Sequence, residues 1–274
     1  MAKPGHALIK LSSPETREFW PIPVLWEDDR LLALDKPGGL LTSPDRHDPR
    51  QANLITLLRR GIACGAAWAQ ERQLGYVANA NRLDLETSGV VLLAKDKSAL
   101  IALANQFGAE HANKTYVTLV CGVPSKDALA IHAKLAPDPS RSGLVRVNPK
   151  EGRKATTQVE VMERFSRHTL LKCRPITDRL HQIRAHLRHT RLPIVGDTNY
   201  GGRPLLLSKL KTGYRFKQNA PERPLIDWIG LHLEQLTFTH PLTGEVQTIS
   251  APWPKDFAVA LKYLRRYAGR NSSS

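Results

Sequence analysis

Cysteine, acidic side chains and long apolar runs are all scarce in this sequence, and each scarcity closes off a class of protein. The three cysteines, Cys64, Cys121 and Cys173, are odd in number, far apart and outside any C-x-x-C pair, which argues against a disulfide framework and against a structural zinc site. They read as core filling. No stretch approaches the roughly 20 uninterrupted apolar residues that a membrane-spanning helix needs, and the opening MAKPGHALIKL lacks the apolar core of a secretory signal. A cytoplasmic location without a membrane partner is expected. Also missing are G-x-x-x-x-G-K-[ST], G-x-G-x-x-G, H-E-x-x-H and G-x-S-x-G, so the expected chemistry uses no cofactor and no metal. His181, His186 and His189 are close in sequence, but only His186 and His189 share a helix face, and no carboxylate or thiol joins them.

What the chain does have is positive charge. Lys and Arg number 40 against 25 Asp and Glu, a formal net charge of +15. A polyanion gains affinity for such a surface because its condensed counterions are released when cations neutralise phosphates. Nucleic acid is therefore the leading partner class. At 274 residues and 41% hydrophobic content, the chain is long enough to bury a substantial core.

Residues 1–20 show no sustained period and are expected to form a lead-in that packs late or not at all. VLWEDDRLLALDKP then sets two apolar runs around the turn-prone Glu27-Asp28-Asp29, which predicts a hairpin. Leu54, Leu57, Leu58 and Ile62 follow helical spacing, whereas 63–80 is weakly patterned and rich in Ala and Gly. GVVLLAKD is a nearly continuous apolar run, as in a strand buried on both faces. A helix over 97–107, a strand at KTYVTLVCG, an alternating strand at TTQVEVMERF and a helix at LHQIRAHLRHT follow. Residues 191–227 are dense in Pro, Gly and basic residues; two strands meeting at Pro241–Gly244 and a helix from about Lys255 to Tyr267 close the chain. The elements lack the strict alternation of a doubly wound sheet, so an α+β fold on a largely antiparallel sheet is predicted. No linker divides it, and 21–274 is expected to be a single domain.

Two clusters could carry chemistry. Asn81–Gly89, N-R-L-D-L-E-T-S-G, sits on a loop directly before the buried strand and sets Asp84 and Glu86 beside Arg82. Fixed loops at strand ends are where reactive side chains are displayed. In T-D-R-L-H-Q-I-R-A-H-L-R-H, the helical period puts Leu180, Ile183 and Leu187 on one face and His181, Arg184 and Arg188 on another. An arginine held by a helix can form a two-pronged pair with a carboxylate.

The first cluster resembles the H-R-L-D-x-x-T-S-G signature of the RluA family of pseudouridine synthases. D-K-P-G-G-L resembles that family's early loop, K-T-Y its central strand, H-Q-I-R its basic helix, and L-P-I-V-G-D-T-N-Y-G its G-H-P-I-x-G-D-x-x-Y-G. The resemblance runs from about Val24 to Trp253. It implies the pseudouridine synthase fold, a mixed, largely antiparallel sheet with flanking helices and a central catalytic cleft, here without the small N-terminal RNA-binding domain that many relatives carry. It also implies isomerisation of specific uridines in structured RNA, ribosomal or transfer, by a monomer. Carried over by position, Asp84 is the catalytic aspartate, Tyr116 the active-site tyrosine and Arg184 the arginine that pairs with the aspartate. Arg82 takes a role in opening the RNA, and Lys114, His181, Gln182 and Arg188 become candidates for RNA contact. Asn81, Asp178 and Leu180 depart from the usual His, Gly and Thr or Ser. Lys209, Lys211, Arg215 and Lys217, with Lys262, Arg265 and Arg266 on the last helix, are further candidates for phosphate contact.

Overall fold

Asp28 organises the first hairpin: its Oδ1 accepts the backbone N–H of Arg30 at 2.8 Å and of Leu31 at 2.7 Å, so the side chain closes the turn that joins the strands Phe19–Glu27 and Leu31–Lys36. The computed structural model describes residues 7–45, 48, 50–108, 113–216 and 220–269. By its internal contacts the chain divides into two compact units, Met1–Lys114 with Leu233–Pro252, and Thr115–His232 with Trp253–Ser274. No linker shows in the sequence because two of these boundaries fall inside strands, Asn113–Cys121 and Leu231–Thr239, and not in a loop.

In the first unit the sheet order is Leu8–Ser12, Phe19–Glu27, Leu31–Lys36, Ser88–Ala94 and the strand beginning at Leu231, with Val246–Ser250 alongside the last. The apolar run LLAL faces VLLA, Val91–Ala94, in antiparallel register, Leu31 opposite Ala94 and Lys36 opposite Gly89. Val90 to Ala94 are all fully buried, as a strand covered on both faces requires. The helix Leu54–Ala63 is capped by Asn53, whose Oδ1 accepts the Thr56 N–H at 2.9 Å, and buries Leu54, Ile55, Leu57 and Leu58. The helix Lys97–Gly108 starts over Asp96, which accepts the Ala99 N–H at 2.9 Å.

The lead-in expected over 1–20 is corrected in part. Leu8–Ser12 is a strand, paired antiparallel with Phe19–Glu27, and Ile9 and Leu11 are buried. Two inward side chains on a five-residue strand are too few repeats for a period to register in sequence. Residues 1–6 of that lead-in lie outside the described residues. Within the expected loop 63–80, a single helical turn forms at Ala67–Gln70.

In the second unit the antiparallel order is Asn113–Cys121, His168–Pro175, Thr156–Arg164 and Ala128–His132, with a two-stranded pair at Leu135–Pro137 and Val145–Val147. The helix Lys255–Ala268 packs Phe257, Ala260, Leu261 and Leu264 into a core with Val117, Leu119 and Phe165. A second cluster of Leu135, Val145, Ala155, Ala185 and Tyr200 seats the helix Gln182–His189. Strands and helices are thus mixed on largely antiparallel pairings, the α+β class the patterning predicts.

Candidate active site

Asp84 stands between two backbone positions that are held from outside its own loop. On one side, the Thr42 hydroxyl donates to the Leu83 carbonyl at 2.9 Å and accepts the Leu83 N–H at 3.0 Å. On the other, the Leu85 carbonyl accepts the Gly39 N–H at 2.8 Å and the Lys36 ammonium at 3.4 Å. The turn is closed by the Thr87 N–H donating to the Asp84 carbonyl at 3.2 Å. Asn81 ties the loop's start to the strand: its Nδ2 donates to the Val90 carbonyl at 3.0 Å and its Oδ1 accepts the Leu92 N–H at 2.8 Å. Gly89 follows with φ +118°, and a Cβ there would lie 2.3 Å from the Leu233 carbonyl oxygen, so only glycine lets the neighbouring strand approach. The result is a half-buried carboxylate on a loop with little freedom to move.

Beneath the loop lies Lys36, fully buried. Its ammonium also donates to the Leu40 carbonyl at 2.6 Å and the Pro37 carbonyl at 2.8 Å. Burial pushes its pKa down to about 7, against the opposing pull of Asp84, Glu86 and Asp35. Burial raises the Asp35 carboxyl to about 6, with Lys36 pulling the other way. The early loop D-K-P-G-G-L is therefore the floor of the Asp84 loop.

In the second unit Arg184 is only 1% exposed and meets Asp197, also 1% exposed, through two parallel bonds: Nε to Oδ2 at 2.8 Å and Nη2 to Oδ1 at 2.9 Å. This fork-to-fork geometry is the strong form of an arginine–carboxylate pair. The guanidinium carbon lies 5.1 Å from the centre of the Tyr200 ring. The Tyr200 hydroxyl accepts the Val145 N–H at 3.0 Å and lies 3.0 Å from His181 Nδ1. His181 itself has φ +48° at the head of the helix, a left-handed conformation that costs energy in a residue with a Cβ and is held by the contacts around it. Asp197 and Tyr200 frame a 3₁₀ turn, Thr198–Tyr200, in which the Tyr200 N–H donates to the Asp197 carbonyl at 3.1 Å. The two motifs H-Q-I-R and G-D-T-N-Y-G thus build one network.

A family model described as RNA pseudouridylate synthase matches residues 30–189, the segment that contains the Asp84 loop and the Arg184 helix. The chain belongs to this family. Across 256 residues it is 36% identical to the ribosomal large subunit pseudouridine synthase D of Xanthomonas campestris pv. campestris, spanning 91% of this chain and 71% of the relative. The ribosomal large subunit pseudouridine synthase C of Salmonella typhi is 34% identical over 247 residues, 89% of this chain and 70% of that one. Among solved structures, human RNA pseudouridylate synthase domain containing 4 superposes with a TM-score of 0.66 at 23% identity, covering 88% of this chain and 92% of that one. That likeness bears on the fold.

The other residues singled out in this pseudouridine synthase are placed as follows. Arg82 and Arg188 are exposed. Tyr116 is buried on its strand, opposite Cys173. Lys114 is largely buried, with its ammonium 5.4 Å from the centre of the Phe107 ring. Gln182, expected at the RNA, faces inward: its Nε2 donates to the Thr156 carbonyl and to Thr157 Oγ1, each at 3.0 Å, and its Oε1 accepts from Thr177 Oγ1 at 2.7 Å. Arg265 is held by Glu163, and Lys217 lies outside the described residues. Both nitrogens of His186 are engaged, by Thr157 and by the Ala133 carbonyl. Among the described residues no three His, Cys, Asp or Glu side chains are grouped to hold a metal ion, and no helix is long and apolar enough to cross a membrane. Lys36, Asp197 and Tyr200 lie within the motifs D-K-P-G-G-L and G-D-T-N-Y-G, which by themselves assign these three residues no role. The available signal was the pairing of an Arg motif with an Asp motif that has no other evident task.

Proposed function

We propose that this synthase converts specific uridines of ribosomal RNA to pseudouridine, with Asp84 as the catalytic carboxylate, acting as a cytoplasmic monomer without a cofactor. The observation that carries the reading is the carboxylate at 84, clamped on both flanks on the loop before a buried strand, within a chain whose relatives are named for the ribosomal large subunit. The reaction is an isomerisation. The bond from uracil N1 to the sugar C1′ breaks, the freed base turns, C5 bonds to C1′, and the proton leaving C5 is matched by one gained at N1. It needs no oxidant and no energy input. A positioned carboxylate assists by attacking the anomeric carbon or by stabilising the cationic sugar, as in glycoside cleavage. The reacting atoms are out of reach in a stacked helix, so the nucleotide has to be turned out and held against an aromatic or apolar wall.

Tyr116 takes the part of that wall and of the group that helps remove the C5 proton. Arg184 takes the part of the arginine that orients the aspartate, itself set in place by Asp197 and Tyr200. Arg82 helps to open the RNA, while Lys114, His181 and Arg188 contact it. Gln182 acts from inside, by fixing the head of the basic helix to the neighbouring strand.

The test is Asp84→Asn on unmodified ribosomal RNA. Pseudouridine formation, read by chemical labelling, should vanish, while RNA affinity stays within about tenfold because the phosphate contacts are untouched. Continued product formation by the variant removes Asp84 from the mechanism. Free uracil in place of an isomer of unchanged mass would make the protein a base-excising enzyme instead.

A further inference from the structure

The segment Leu207–Phe216 in the second unit carries two aromatics among cations, Phe216 exposed and Tyr214 half-buried beside it, and its base is built to hold them out. Leu205 and Ile226 are buried in the core beside the last helix, with Leu210 and Leu225 packed against it. The Leu225 N–H donates to the Leu205 carbonyl at 2.8 Å, and Glu222 accepts the Ser208 N–H, also at 2.8 Å. These bonds close the base of a surface loop. Beyond the short helix Leu207–Leu210, the chain turns back at Gly213, whose φ of +72° suits the third position of a turn closed by the Tyr214 N–H donating to the Lys211 carbonyl at 3.3 Å.

The turn displays Tyr214 and Phe216 edge to face, with ring centres 5.1 Å apart and planes at 87°. Phe216 is 66% exposed. Lys209, Lys211 and Arg215 are exposed in the same segment, and no acidic residue lies between Leu207 and Phe216. Glu222 lies near Lys209 at the base, which leaves Lys211 and Arg215 as the charges of the tip among the described residues. A wide-open phenylalanine beside cations is costly in water and well suited to one kind of partner. Bases offer an aromatic face to stack on and phosphates offer the anions, but only where the bases are unpaired. A duplex would satisfy the cations and leave the rings idle.

We propose that Lys211–Phe216 is a stacking platform for an unpaired stretch of the substrate RNA, so that the synthase selects its target partly by a single-stranded neighbour of the modified uridine. This rests on the proposed action on RNA, and it adds a recognition surface that neither Asp84 nor the basic helix provides.

The test measures affinity for a uridine-rich single strand of about 12 nucleotides and for a duplex of similar length. Tyr214→Ala with Phe216→Ala should weaken single-strand binding by about tenfold and duplex binding by less than about twofold, because stacking is lost and charge is kept. Tyr214→Phe with Phe216→Tyr should restore single-strand binding, which separates stacking from a folding defect. Lys211→Gln with Arg215→Gln should weaken both probes and lower the salt slope by about two. Single-strand affinity of the double alanine variant within about twofold of the parent, or equal loss on both probes, overturns the platform. Pseudouridine formation by the parent protein on unmodified ribosomal RNA is assayed in parallel. Its absence sinks the proposed function, whereas product formation with unchanged single-strand binding sinks the platform alone.

Discussion

A lysine ammonium buried beneath the Asp84 loop titrates near neutrality, and this makes stability depend on pH in a way one substitution can isolate. Lys36 is pushed down to about 7 from 10.5, so between those values the unfolded chain holds more protons and stability rises with pH; the contribution is smallest below pH 7. The Lys36→Met difference should show it. The unfolding free energy of the parent minus that of the variant should climb by up to about 1.4 kcal/mol per pH unit above pH 7. Parallel curves from urea titrations across that window would refute the assignment. Asp35 runs the other way: raised to about 6 from 3.8, it loses its stabilising contribution as pH rises from 3.8 through 6. Asp197→Asn is the second residue to change. It takes one anion from a guanidinium that is 1% exposed, so a loss of about 3 kcal/mol is expected in denaturant unfolding, with turnover falling as Arg184 loses its alignment. A loss under about 1 kcal/mol would mean that other contacts fix the arginine. Asp84 was legible in sequence because its whole motif is local. Asp197 was not, since it meets Arg184 across 13 positions and two different kinds of turn, a distance no periodicity reports.

At the scale of elements, backbone contact replaces side-chain charge as the deciding term. Gly89→Ala would drive a methyl into the Leu233 carbonyl and strain a φ of +118°, so a cost of more than about 2 kcal/mol is expected from thermal or chemical unfolding. Gly75→Ala meets nothing within 4 Å and should stay within about 0.5 kcal/mol of the parent, which makes it the matched control. Equal stability of the two variants would show that the strands can part at Gly89 without penalty. The same contrast explains which elements could be read in advance. The hairpin at Asp28, the strand Ser88–Ala94, the basic helix and the closing helix carry several turns or repeats of one period each. Leu8–Ser12 and Ala67–Gln70 carry too few, and a partner strand or a packed neighbour decides them instead.

At the scale of the molecule, an excess of 15 positive charges should dominate the salt response of RNA binding. From 50 to 200 mM salt the affinity for ribosomal RNA should fall by about a thousandfold, measured by filter binding, with Asp84→Asn following the same slope as the parent. A slope near zero would mean that the cations are spread over surfaces the RNA does not touch. Net charge was open to sequence; the division into two units was not, because the chain changes unit within strands at 114–115 and 232–233, where no loop or linker marks a boundary.

The clamp on either side of Asp84 has a consequence for anyone reading variant data. Thr42 holds the peptide before the aspartate, and Gly39 with Lys36 holds the one after it. A random-mutagenesis screen for dead enzyme would therefore be expected to return hits at 36, 39 and 42 together with 84. Scored by proximity to a uridine, the first three would be dismissed as scaffold damage, yet their phenotype would be a misaimed carboxylate.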